Sequence, residues 1–101
     1  MAKVTGTIEQ IMTLDANTDK CHQITIKAAA GENRTVGVQL LPTTAIGDTD
    51  DDYEEPEENY SIDVSDGKGH TVNPSVPTFI GKIKFTPSGV FQFTAKHFST
   101  P

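Results

Sequence analysis

Apolar and polar residues alternate along most of this chain with a period of two, the spacing of a strand that buries one face. In the opening stretch Val4, Ile8, Met12 and Leu14 share one parity, while Lys3, Thr5, Thr7, Glu9 and Thr13 share the other. Ile11 alone breaks the pattern. This predicts one half-buried strand, ended by LDANTDK, a turn rich in Asp and Asn. A second strand runs through CHQITIKA with Ile24, Ile26 and Ala28 inward. AAAGEN then turns the chain into RTVGVQLL, where Val36, Val38 and Leu40 point inward. Pro42 closes that strand, because its ring has no amide to donate to a ladder.

In the second half NYSIDVSD sets Tyr60, Ile62 and Val64 on one face, and DGKG follows as a turn. HTVNPSVP reads as a short irregular edge, since Pro74 and Pro77 interrupt pairing. FIGKIKF and VFQFTAKHF, with Phe79, Ile83, Phe85, Phe91 and Phe93 inward, flank Thr86-Pro87-Ser88-Gly89. Pro and Gly in those positions predict a hairpin. Gly37 and Gly81, both within strands, predict bulges or a close backbone approach. Six or seven strands without helical periodicity predict a single all-β domain over residues 1–101. The expected fold is an antiparallel β-sandwich of immunoglobulin-like type, and a small, partly open β-barrel is the alternative.

One segment falls outside the alternation. GDTDDDYEEPEENY, from Gly47 to Tyr60, carries eight carboxylates, Asp48, Asp50, Asp51, Asp52, Glu54, Glu55, Glu57 and Glu58, and no base. It predicts a flexible acidic loop over residues 47–59. It also reverses the meaning of the net charge of −6, because the rest of the chain holds six acids against eight bases. A mildly basic body with one acidic appendage is a different object from a uniformly acidic protein.

The loop does not match an EF-hand: counting from Asp48, the sixth and twelfth positions are Tyr53 and Asn59, where Gly and a bidentate acid are required. Weak calcium binding remains an expectation for such a cluster of oxygens, and no dedicated metal site or cofactor is expected. Lys82, Lys84 and Lys96 are expected together on the outer face of the final hairpin, within reach of the acidic loop.

Nucleophilic chemistry finds little support. Cys21 and His22 are neighbours in a strand, so their side chains leave on opposite faces. Neither a G-x-S-x-G elbow nor C-x-x-C or H-E-x-x-H spacing occurs. No apolar run approaches the ~18 residues of a membrane span, and the first fifteen residues lack a signal-peptide pattern. A lone Cys suits a reducing compartment.

The expected function is therefore a non-enzymatic structural or protein-interaction module, self-associating or bound to an assembly such as a phage particle, and located in the cytoplasm or on a virion. Two other readings are a small acidic inhibitor that imitates a nucleic acid through its loop, and an oligonucleotide-binding barrel using the Lys face with Phe98. The second is disfavoured because the acidic loop would repel the same ligand, so nucleic acid is not the expected partner.

Overall fold

The computed structural model describes residues 2–14, 23–43, 47, 49–55, 61–72 and 80–98. Eight strands form two four-stranded antiparallel sheets packed face to face. They are β1 (Ala2–Gly6), β2 (Gln10–Thr13), β3 (Gln23–Ala28), β4 (Thr35–Pro42), β5 (Ser61–Asp63), β6 (His70–Val72), β7 (Ile80–Pro87) and β8 (Phe93–Phe98). The first sheet has the order β1-β8-β3-β6 and the second β2-β7-β4-β5.

The expected antiparallel sandwich is the fold, with more strands than the alternation shows. Its order is that of a jelly roll, in which the first strand pairs with the last and successive strands alternate between sheets except for β4 and β5, which share the second. An immunoglobulin sandwich instead places its first two strands side by side in one sheet.

Two corrections follow from that alternation between sheets. The opening stretch is two strands, because the chain turns a corner at residues 7–9 and passes from the first sheet to the second. Ile8, expected inward, sits on that corner with 70% of its surface exposed. Strict alternation survives a corner of this length, so period two alone does not reveal it.

The segments on either side of Thr86-Pro87-Ser88-Gly89 are likewise not a hairpin. β7 pairs with β2 and β4, whereas β8 pairs with β1 and β3. The polar groups of the corner are satisfied by the start of β4. The Ser88 amide donates to the Thr35 carbonyl at 2.9 Å, and the Thr35 amide donates to Ser88 Oγ at 3.0 Å. Phe91 then enters the core, with the Arg34 guanidinium 5.3 Å from its ring centroid.

The core lies between the sheets. Phe85 from the second sheet meets Phe93 from the first at 6.4 Å between centroids, tilted by 52°. Around them pack Met12, Ile24, Ile26, Val36, Val38, Leu40 and Ile83, all on the inward parity expected of them. His97 is also fully buried, at the end of the inward row Phe93-Ala95-His97. Gly81 occupies the bulge where the β4–β7 register shifts between Leu41 and Pro42. Gly37, by contrast, pairs regularly with Thr86 and Ser61. The short edge expected at HTV is β6, at the margin of the first sheet. Tyr60 and Phe79, both expected inward, lie outside the described residues, as do Cys21 and His22. Among the described residues, no helix is long and apolar enough to cross a membrane.

Candidate functional site

The strand order places the lysines expected on one face in two different sheets. Lys82 and Lys84 flank the inward Ile83 on β7 and face out from the second sheet, whereas Lys96 is on β8 and faces out from the first. The shared basic face expected of Lys82, Lys84 and Lys96 does not form, because it depended on the hairpin.

A different basic face takes its place. Directly opposed residues of antiparallel strands project to the same side, and across the first sheet one such row reads Lys3, Lys96, Thr25, Thr71. The next row reads Thr5, Thr94, Lys27. Lys3, Lys27 and Lys96 are exposed. The four strands of this sheet contain no Asp or Glu. Hydroxyls pair across the strands, Thr5 Oγ1 with Thr94 Oγ1 at 3.2 Å and Thr25 Oγ1 with Thr71 Oγ1 at 3.0 Å. Lys3, Thr25, Lys27, Gly69, Thr94 and Lys96 line a shallow groove of about 270 Å³. Phe98, read as the outward aromatic, is on the same side and 38% exposed.

Lys3 and Lys96 stand directly opposite each other, a like-charge pair that works against the sheet. Such a face can give ammonium and hydroxyl donors to an anion, and its four strands carry no carboxylate that competes for them. Lys3 and Lys27 were visible on the polar parity of AKVTG and QITIKA. Only the β1-β8-β3 order shows that they join Lys96.

The acidic segment belongs to the other sheet. Asp50–Asp52 form a single 3-10 turn, in which the Asp52 carboxylate accepts from the Thr49 amide at 3.0 Å and the Thr49 hydroxyl at 2.8 Å. Glu54 then bridges to β4: its amide donates to the Leu40 carbonyl at 2.7 Å, and the Leu40 amide donates to the Glu54 carbonyl at 2.8 Å. Glu55 lines a groove with Gly37, Gln39 and Thr86.

Between those contacts Tyr53 is buried, its ring 3.9 Å from Lys84 Nζ. Lys84 is only 3% exposed although it lies on the outer face of its sheet. Leu41 and Tyr53 are both buried without belonging to the central core. The segment thus covers part of the second sheet, with the Tyr53 ring over Lys84. Asp51, Glu54 and Glu55 remain exposed. Asp48, Glu57, Glu58 and the Asp50 side chain lie outside what is described. Among the described residues, no group of three His, Cys, Asp or Glu side chains could hold a metal ion.

At one end of the first sheet the turn before β6 is organised by two aspartates. Asp66 Oδ1 accepts from His70 Nε2 at 2.8 Å and from the Lys68 amide at 2.9 Å, and these bonds, the His70 one foremost, lower its pKa. Asp63 accepts from the Ser65 amide at 2.9 Å, which lowers its pKa as well.

Fold and face together define a small antiparallel β-sandwich with one basic sheet surface whose strands carry no Asp or Glu. No protein-family model matches the chain, and neither curated proteins nor solved structures give a match.

Proposed function

We propose that this chain is a non-enzymatic interaction module whose first sheet binds a carboxylate-rich protein segment, as a self-associating or assembly-bound component. The observation that carries the reading is the row Lys3-Lys96-Thr25-Thr71, which opposes two lysines in a sheet without a carboxylate. An anionic partner relieves that repulsion and uses the flanking hydroxyls as donors. The jelly-roll order supports an assembly role by analogy of fold alone, since capsid and lectin domains share it. A lone Cys suits work in the cytoplasm or on a particle assembled there.

The nucleic-acid alternative has less support. Three lysines neutralise few phosphates, and the acidic segment gives the whole chain a charge of −6 that opposes a long polyanion. The test is fluorescence anisotropy of a labelled Glu-rich peptide, with a single-stranded DNA oligonucleotide in parallel. The peptide should bind at low salt, and the triple variant Lys3→Gln, Lys27→Gln, Lys96→Gln should lose it. Equal binding by that variant, or preferential binding of DNA, would overturn the reading.

A further inference from the structure

We infer that the anionic partner of the Lys/Thr face is the acidic segment of a second copy of this chain, giving head-to-tail association. The inference rests on the reading of that face as a binding surface, and goes on to name its occupant.

The two charged surfaces are complementary in composition. Lys3, Lys27 and Lys96 occupy a face whose strands hold no acid, and Asp51, Glu54 and Glu55 are exposed on a segment without a base. Within one molecule they do not meet. Glu54 is bonded to β4, and Tyr53 rests over Lys84, so these carboxylates are fixed on the second sheet. The Lys/Thr face looks outward from the first sheet, across the core.

The molecule measures 37 × 30 × 22 Å, and even its thinnest dimension exceeds the Debye length of about 8 Å at physiological salt. Attraction between the two surfaces is therefore realised only by direct contact between copies. Because the contact joins two different surfaces, each copy keeps one free half. The arrangement propagates into a ring or an open chain and does not stop at a symmetric dimer.

The segment also suits this occupancy better than a flexible tail does. The bridge from Glu54 to Leu40 and the burial of Tyr53 hold Glu54 and Glu55 against a sheet before any partner arrives, which lowers the ordering cost of binding.

Light scattering on size-exclusion fractions tests this with the intact chain. At about 50 mM NaCl the protein should form species larger than a monomer, with the association constant falling about tenfold or more by about 500 mM. The triple Lys→Gln variant and a second variant, Asp51→Asn with Glu54→Gln and Glu55→Gln, should each be monomeric. Mixed together they should form a one-to-one heterodimer that grows no further, because each retains only one half of the contact. Matching circular dichroism spectra establish that both variants fold.

A wild-type monomer at low salt, or association that survives both sets of substitutions, would overturn the inference. A chain that stays monomeric yet binds the Glu-rich peptide would sink self-association and leave the proposed function standing. A chain that binds neither would remove both.

Discussion

The ammonium of Lys84 lies 3.9 Å from the centroid of the Tyr53 ring, and this contact joins the acidic segment to the second sheet. Tyr53 is 8% exposed, and its hydroxyl has no hydrogen-bond partner among the described residues. The ring and the hydroxyl therefore act in opposite directions. Tyr53→Phe should raise stability by about 1 kcal/mol by removing an unsatisfied donor. Tyr53→Leu should lower it by about 1–2 kcal/mol through loss of a desolvated cation–π contact. Urea denaturation of the two variants checks both signs.

The opposition of Lys3 and Lys96 costs stability that binding recovers. Lys3→Gln should stabilise the isolated chain by about 0.2–1 kcal/mol at low salt, with the gain shrinking as salt rises. The same variant should bind the Glu-rich peptide more weakly. A parallel loss of stability and affinity would show that Lys3 acts in packing and not as a charge.

Gly67 has φ of 76°, and a Cβ there would stand 3.1 Å from Ala30 Cβ and 3.2 Å from its amide nitrogen. Gly67→Ala should destabilise by about 1–3 kcal/mol, from strain in the left-handed region together with the tight contact. Asn33, at φ of 54°, is held in the same region, where Asn is tolerated. Asn33→Gly should therefore leave the melting temperature nearly unchanged, and thermal unfolding separates the two cases.

Asp66 is a carboxylate whose folded pKa is depressed, by the bond from His70 first and the Lys68 amide second. Its contribution to stability is present above the ordinary aspartate pKa of about 3.9 and disappears as pH falls through the lower folded value. Side-chain NMR should show Asp66 titrating below the ordinary aspartate value. The Lys68 amide resonance should move with it. Titration of Asp66 at or above the ordinary aspartate value would remove that pair of bonds from the description of the turn.

These sites differ in how far the sequence revealed them, for physical reasons. Period two identified the faces of Ile24, Ile26, Val36, Val38, Ile83 and Phe85, because a side chain's face within a strand is a local property. It carried no information about partner strands, so the corner at Ile8 and the crossing at Ser88 both passed for continuous strand or hairpin. Turn chemistry at Pro87 and Gly89 is equally compatible with a crossing when Thr35 of β4 supplies the hydrogen bonds. The candidate face is half legible in the sequence: Lys96 lies on the polar parity of its strand, while bringing Lys3 and Lys27 beside it requires the pairing of β1 and β3 with β8. The anchoring of the acidic segment was hidden because one apolar side chain, Tyr53, sits among carboxylates whose composition reads as solvated loop.

The measurement closest to the central claim is an amide chemical-shift map of the full chain titrated with the Glu-rich peptide at low salt. The expected result is a contiguous set of shifts at Lys3, Thr25, Lys27, Thr94 and Lys96, with Lys82 and Lys84 unmoved. Shifts centred on Lys82 and Lys84, or spread over both sheets without a focus, would contradict the assignment of binding to the first sheet.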